Sequence, residues 1–454
     1  MLAQGVSSSF ERRGIHYAWV IAAVTFLAML TTSAALGLPG AMLQPLSREF
    51  GWSIEQLSSV FAVRFALFGL LGPFAAVFIG RFGLRRVMVS AATLIALAMA
   101  LATQVTQLWQ LFLLWGLVLG CGTGLTALVL GAMVANRWFT SNRGLVVGLF
   151  AASTATGQLI FLPVAAWMIE ALGWRYAVIP VFGASVVIAL LATLFMRDHP
   201  GSIGLRAFGE PEGGPIEAAP VRATRLNFLG PFQVLAAVSR NRTFWILAGT
   251  FFICGLSTNG LLQTHFISLC GDQGLSAVPA ASVLAMMGAF DLVGTTLSGY
   301  LSDRYDNRKL LFWYYGLRGL SLFWLPFSTF TLYGLSIFAM FYGLDWIATV
   351  PPTVKLAAQE FGKEKAGMVF GWIFAAHQLG AATAAYGAGL ARTLLLTYNP
   401  ALFAAGAACL VAAAAVMMIR LQARPAAGVA QAWVDGSDGS LNRAGERVGC
   451  RRTP

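Results

Sequence analysis

The chain alternates between apolar runs of about 20 residues and short segments where charge and glycine gather. A run of that length, as a helix, crosses ~30 Å of hydrocarbon, so each reads as a membrane span. The pattern predicts spans at 17–38, 56–79, 87–105, 109–135, 144–171 and 176–196. Six more are predicted at 243–269, 280–301, 310–327, 332–356, 367–390 and 400–419. Residues 39–55 read as an amphipathic outer loop with Trp52 at the interface. The first run is too long for a signal-peptide core and more spans follow it, so it reads as a retained helix.

The largest break is the stretch 197–242, polar and rich in Gly, Pro and Glu. Its end, 228–240, reads as a short amphipathic helix on the membrane surface. The expected fold class is therefore all-α integral membrane: twelve transmembrane helices in two pseudo-symmetric six-helix bundles. The domain plan is a leading segment 1–16, bundles at 17–196 and 243–419, a linker 197–242, and a tail 420–454 expected to be disordered.

Composition sharpens this. With 58% apolar and 11% charged residues and a mean hydropathy of +0.73, a soluble globular protein is excluded. A net charge of +12 would suggest nucleic acid in a soluble chain, but here the charge lies in loops, and no nucleic-acid partner is expected. Cys121, Cys254 and Cys409 fall in spans, Cys270 near an outer edge and Cys450 in the tail. They form neither a disulfide framework nor a metal-ligand spacing, so no metal and no cofactor are expected. The bias to Arg over Lys, with abundant Ala and Gly, hints at a GC-rich bacterial source, hence a bacterial inner membrane.

Loops on the side of the termini hold Arg12, Arg13, Arg81, Arg85, Arg86, Arg137, Arg143, Arg304, Arg308, Lys309, Lys355, Lys363 and Lys365. The other side holds Arg48, Arg175 and Arg392, so both termini are expected in the cytoplasm. The halves also repeat. Arg81 and Arg304 differ by 304 − 81 = 223, and the same offset pairs Arg85 with Arg308, Arg86 with Lys309, Gly144 with Gly367 and Gly51 with Gly274. One offset relating loops on both faces argues for a duplicated six-helix unit.

The densest charge is in Gly299–Lys309, which reads Gly-x-x-x-Asp303-Arg304-x-x-x-Arg308-Lys309 between two spans. This resembles the signature loop of the major facilitator superfamily of secondary transporters. A degraded copy at 76–86 keeps Arg81, Arg85 and Arg86 but has Gly80 in place of the aspartate. Gly299 is expected to permit close helix approach, and Asp303 to cap a neighbouring helix and pair with an arginine. Such a network either latches one conformation or simply sets topology. Small residues every four positions (Gly116, Gly120, Gly124; Gly144, Gly148; Gly367, Gly371) predict close helix contacts, static or sliding.

Within the superfamily, Asn136-Arg137-Trp138-Phe139 with Arg143-Gly144, Gly173-Trp174-Arg175, and Asp291 in the eighth span resemble the bacterial branch of the monocarboxylate-porter group. Animal members of that group carry an arginine one turn after the aspartate, where this chain has Thr295, so their lactate–proton mechanism does not carry over.

Ionisable residues inside spans are functional candidates, since each must find a partner or water. Arg64 lies roughly 12 Å below the outer face by helical rise. Asp291, Arg318, Asp345 and His377 lie within later spans, and Arg318 and Asp345 reach a similar depth, as a structural ion pair would. By the resemblance, Arg64, Asp291, Asp345 and His377 see a central cavity. The seventh span holds a polar patch that includes Asn259, Gln263 and His265 and serves either substrate or interhelical hydrogen bonds. Arg64, Asn259, Gln263 and His377 are thus assigned to substrate, and Asp291 and Asp345 to a coupling proton. Pro351 and Pro352 predict a kink in the tenth span, a hinge or a bend. The reading is a transporter, not an enzyme, that carries a small organic anion, a carboxylate, with protons. It acts as a monomer among membrane lipids; the alternative is efflux of amphiphiles.

Overall fold

The computed structural model describes residues 16–126, 128–211 and 228–420, and these are helical almost throughout. The helices of the first half are α1 (Tyr17–Phe50), α2 (Ile54–Phe82), α3 (Leu84–Ala102), α4 (Leu108–Trp138), α5 (Arg143–Leu172) and α6 (Trp174–Phe195). Then follow α7 (Arg242–Asp272), α8 (Ala277–Arg304), α9 (Asn307–Trp324), α10 (Leu332–Phe361), α11 (Lys363–Leu395) and α12 (Asn399–Val416). Among the described residues, ten helices are long and apolar enough to cross a membrane. The other two are α9, with Arg308, Lys309 and Arg318 in 18 residues, and α5, whose apolar stretches are Arg143–Ser153 and Ile160–Leu172. Leu97, Leu190, Trp167 and Val411 stand exposed on the outside, an apolar coat suited to hydrocarbon. Helix starts repeat along the chain: Ile54 and Ala277 differ by 277 − 54 = 223, and Leu84 and Asn307 by 307 − 84 = 223. The leading segment with Arg12 and Arg13, and the tail with Cys450, lie outside the described residues.

Several boundaries differ from the sequence expectation. Residues 39–50 continue α1 rather than forming a loop, despite Pro39 and Pro45 inside the helix. Met42, Leu43 and Leu46 are fully buried there, and this packing outweighs the backbone hydrogen bonds that the prolines remove. The helix stops at Gly51, whose φ of 70° lets its N–H return to Ser47. Asp303 and Arg304, expected in a loop, lie in the last turn of α8. Asn136, Arg137 and Trp138 likewise close α4. The amphipathic linker helix is present at Leu229–Val238. The start of the linker is tied back to the α4–α5 turn, where Phe208 N–H donates to the Trp138 carbonyl (2.8 Å).

α2 and α11 pack antiparallel along their length, with Gly389 against Ser58, Gly69 against Gln378 and Gly371 against Pro73. α1 and α7 run parallel, with Gly40 against the Gln263 backbone and Gln44 Nε2 donating to the Ser268 carbonyl (3.1 Å). The face opposite the basic loops is sealed further. Glu55 accepts from the Tyr386 hydroxyl (2.9 Å), and Glu170 accepts from the Ala277 N–H (2.9 Å).

The glycine expectations split. Gly116, Gly120 and Gly124 of α4 do lie against α2. Gly144, Gly148, Gly299 and Gly367, however, have open space where a Cβ would stand, so they mediate no close approach here. All four sit near the basic-face ends of α5, α8 and α11. The tightest positions, Gly255, Gly294 and Gly380, are ones the pattern did not single out. A Cβ on Gly294 would sit 1.9 Å from the Leu344 carbonyl oxygen. We therefore expect Gly294→Ala to cost about 1–3 kcal/mol by forcing α8 and α10 apart. Gly299→Ala, in the same helix, should be neutral or stabilising by up to about 1 kcal/mol through helix propensity. Thermal unfolding of the two purified variants checks this, and equal losses would disprove the packing argument.

Candidate functional site

The polar residues of the second half converge on a break in α10. The helix ends at Asp345, turns through 346–349, and resumes at Val350. Pro351 and Pro352 lack the N–H groups that would have bonded the carbonyls of Ile347 and Ala348. Backbone groups freed at membrane depth must be satisfied by protein. Three side chains do this. Asp291 of α8 accepts the Ile347 N–H (2.9 Å), and Ser298, two turns further along α8, donates to the Ala348 carbonyl (2.6 Å). Arg318 of α9 donates to the carbonyls of Asp345 (2.5 Å) and Trp346 (3.2 Å).

Arg318 also pairs with the Asp345 carboxylate, Nε to Oδ2 at 2.6 Å, and donates to Cys254 Sγ at 2.9 Å. The expected ion pair is thus present, and every nitrogen of Arg318 is engaged. Four of its five N–H donors are thereby used within the protein. Asp345 keeps one buried oxygen, Oδ1, without a hydrogen-bond partner among the described residues. Thr295, the residue that departs from the family pattern, donates its hydroxyl to Asp291 Oδ1 (2.8 Å). Asp291 is therefore the cap of a broken helix as well as a buried carboxyl.

Arg64 has a different setting. It is 1% exposed, so it does not reach out to the surface. Its backbone lies on the α4 side of α2, where a Cβ on Gly120 would be 3.3 Å from the Arg64 Cα. Its guanidinium lies over Phe65 (4.7 Å) and Phe61 (5.3 Å) of its own helix. Nε and Nη1 have no hydrogen-bond partner among the described residues. One turn along α2, Phe68 meets Phe374 of α11, and Phe374 stacks on His377 (5.8 Å, 8°). His377 is buried against Phe251 as well, with Nδ1 unpartnered. Beside it, Gln378 was missed by the sequence reading. It is 1% exposed, with Oε1 unpartnered, and its Cβ lies 2.4 Å from where Gly69 would carry one. α2 and α11 thus carry three buried polar side chains, Arg64, His377 and Gln378, with atoms that lack a hydrogen-bond partner among the described residues. No hydrogen bond or ion pair joins Arg64 to Asp291 or Asp345 among the described residues.

The α7 patch divides. Thr258 bonds back to its own helix, and His265 Nε2 lies 2.8 Å from the Ala385 carbonyl of α11, an interhelical contact. Asn259 and Gln263 make no side-chain hydrogen bond among the described residues. Both lie in the π-helical stretch Leu256–Gln263, a backbone distortion frequent at functional sites.

The basic loops form local pairs, not the expected continuous network. Asp303 pairs with Lys355 of α10, not with an arginine. Arg304 lies over Tyr300 (4.0 Å) and Arg81 near Phe82 (6.0 Å). Arg308 bonds Asp306 (2.7 Å), and its guanidinium holds that carboxyl below the usual carboxylate range. Lys309 is exposed. In the first half the cap that Asp306 gives the Arg308 N–H comes from elsewhere, because the position 223 residues before Asp306 is Gly83. Asp198, just after α6, accepts the Arg85 N–H (2.9 Å) at the start of α3, while its carbonyl accepts from Arg137 (3.3 Å). Gly83 leaves the room for it, since a Cβ there would stand 2.2 Å from Asp198 Oδ2.

Comparison with known proteins agrees with this architecture. The family model described as Major Facilitator Superfamily matches residues 21–385. The chain is 22% identical over 379 residues to the uncharacterized MFS-type transporter YcxA of Bacillus subtilis, covering 82% of this chain and 88% of that one. It is 24% identical over 398 residues to monocarboxylate transporter 13 of Bos taurus, covering 86% of each. A D-xylose-proton symporter crystal structure superposes with a TM-score of 0.68 at 16% identity, over 88% of this chain and 98% of that one, which shows the fold. A multi-pass body of apolar helices, an α10 break held by neighbouring helices, and a family match spanning most of the chain lead to one conclusion: this protein is a transporter of the Major Facilitator Superfamily.

Proposed function

We propose that this protein is a secondary active carrier of a small organic anion, a carboxylate, working by alternating access. In this reading α1–α12 all span the membrane as two six-helix bundles, and both termini lie in the cytoplasm, on the side of the basic loops. One observation carries the substrate class: Arg64, buried between Phe61 and Phe65 with Nε and Nη1 unpartnered. A guanidinium out of water and without a carboxylate is costly, and a planar anion that accepts two parallel hydrogen bonds offsets that cost. His377 and Gln378 of α11, with Asn259 and Gln263 of α7, are assigned the further polar contacts to the substrate. The match to monocarboxylate transporter 13, by name a carrier of that class, supports the reading. The efflux alternative needs no buried, unpaired cation. Uptake into proteoliposomes of a panel of short carboxylates, their amides and apolar cations tests it. Selective uptake of the carboxylates is expected; equal transport of the amides would refute the assignment.

For coupling, we propose that a proton is carried at the α10 break, by Asp291 with Asp345 beside it. Asn in place of Asp291 still presents a carbonyl oxygen to the Ile347 N–H, so the break keeps its cap while the titrating group is gone. Asp291→Asn is therefore expected to fold normally, retain substrate exchange, and lose the acceleration of uptake by an inward proton gradient. Unaltered pH dependence would remove the proton from Asp291.

A further inference from the structure

The basic-face ends of α2, α3 and α6 enclose a groove of about 1060 Å³. It lies apart from the α2–α11 seam, and no step of the transport reading uses it. Its walls include the rings of Phe78 and Phe82, and its rim carries Arg85, Arg86 and Arg197. None of the three arginines meets a carboxylate through its guanidinium among the described residues. Arg85 donates to the Thr193 carbonyl (2.5 Å) and Arg197 to its neighbour's, Met196 (2.6 Å). Arg86 makes no hydrogen bond or ion pair there. The one acid in the groove, Asp198, is already engaged as the cap of α3. Three cations held together repel one another, and an anion among them relieves that repulsion.

The position of the groove decides which anion. Thr193 of α6 lines it, and on the same helix Leu190 and Leu194 are 58% and 47% exposed. A soluble anion gains nothing from Phe78 and Phe82, whereas a lipid places its head on the arginines and its chains along the rings and α6. We propose that this groove is a binding site for an anionic phospholipid, with the phosphodiester held by Arg86 and Arg197. The lipid there braces the α2–α3 turn against the end of α6.

The test uses the full-length protein in neutral detergent. Phosphatidylglycerol is titrated against phosphatidylcholine of the same chains and against inorganic phosphate, with bound lipid read by native mass spectrometry and stability by the melting midpoint. Phosphatidylglycerol is expected to bind and raise the midpoint, and the other two to do neither. Arg86→Gln/Arg197→Gln should lower phosphatidylglycerol affinity at least about tenfold. Arg304→Gln/Lys309→Gln, an equal charge loss on the same face, should leave it unchanged. If the first pair melts lower without lipid, Arg86→Gln alone carries the comparison, because that side chain bonds nothing in the described protein. Equal affinities in the two double variants, phosphatidylcholine binding as well as phosphatidylglycerol, or the same shift from phosphate alone would each overturn the proposal.

Discussion

Arg64→Gln is expected to lower carboxylate uptake, measured as kcat/KM in proteoliposomes, by about 100-fold or more, since truncating one partner of a buried charge pair costs about 2–5 kcal/mol. The same variant should leave the stability of the substrate-free protein unchanged or raised. That combination is unusual and follows from the geometry. Among the described residues Nε and Nη1 of Arg64 have no partner, so removing the charge breaks no ion pair there and relieves a desolvated cation. Arg64→Lys keeps the charge but not the two-pronged donor, and should fall between, at roughly a tenfold loss. Uptake within about threefold of wild type in a well-folded Arg64→Gln protein would end the anion-anchor role.

Arg318→Met should have the opposite profile. Here each guanidinium nitrogen is engaged, with Asp345 Oδ2 at 2.6 Å, two α10 carbonyls and Cys254 Sγ. Removing it strands a buried carboxylate and frees two carbonyls, a loss of about 3–5 kcal/mol. The readout is a lower unfolding midpoint and less monodisperse protein after mild heating. Arg318→Met/Asp345→Leu removes both charges and should recover more than half of the loss, though the carbonyls stay open. A single variant as stable as wild type, or a double variant with no recovery, would mean that the pair does not hold the break.

The two arginines show how far residue identity reaches. Both are lone cations in apolar runs, and the sequence could rank them only by which span they occupied. The structure separates them by what they touch: Arg318 bonds the Asp345 and Trp346 carbonyls where α10 breaks, while Arg64 lies over two phenylalanine rings. Asp291 shows the same limit. Its position in the eighth span was legible, but its hydrogen bond to the Ile347 N–H required knowing that α8 passes the α10 break. The spacing of Asp291 and Ser298, seven residues and hence one helix face, was the available signal.

Other features were invisible for a physical reason. Gly299 sits in the most recognisable motif of the chain yet faces open space, whereas Gly294, in no motif, lies against the α10 backbone. A glycine's role is set by what stands opposite, and that is not written in its own segment. Asp198 supplies the cap of α3 from 115 residues beyond Gly83, the position that Asp306 holds in the second half (198 − 83 = 115), brought back by the pairing of α3 with α6.

What the sequence determined by itself was the all-helical membrane class, the family, the basic face and the 223-residue repeat. These follow from hydrophobic length, charge placement and periodicity, which are local properties of the chain. Tertiary structure alone decided which buried charges are spent and which are free, where helices close and where they part, and how α1 runs helically through two prolines. Those depend on the neighbour each backbone group and side chain meets, because in hydrocarbon every polar group must find its partner within the protein.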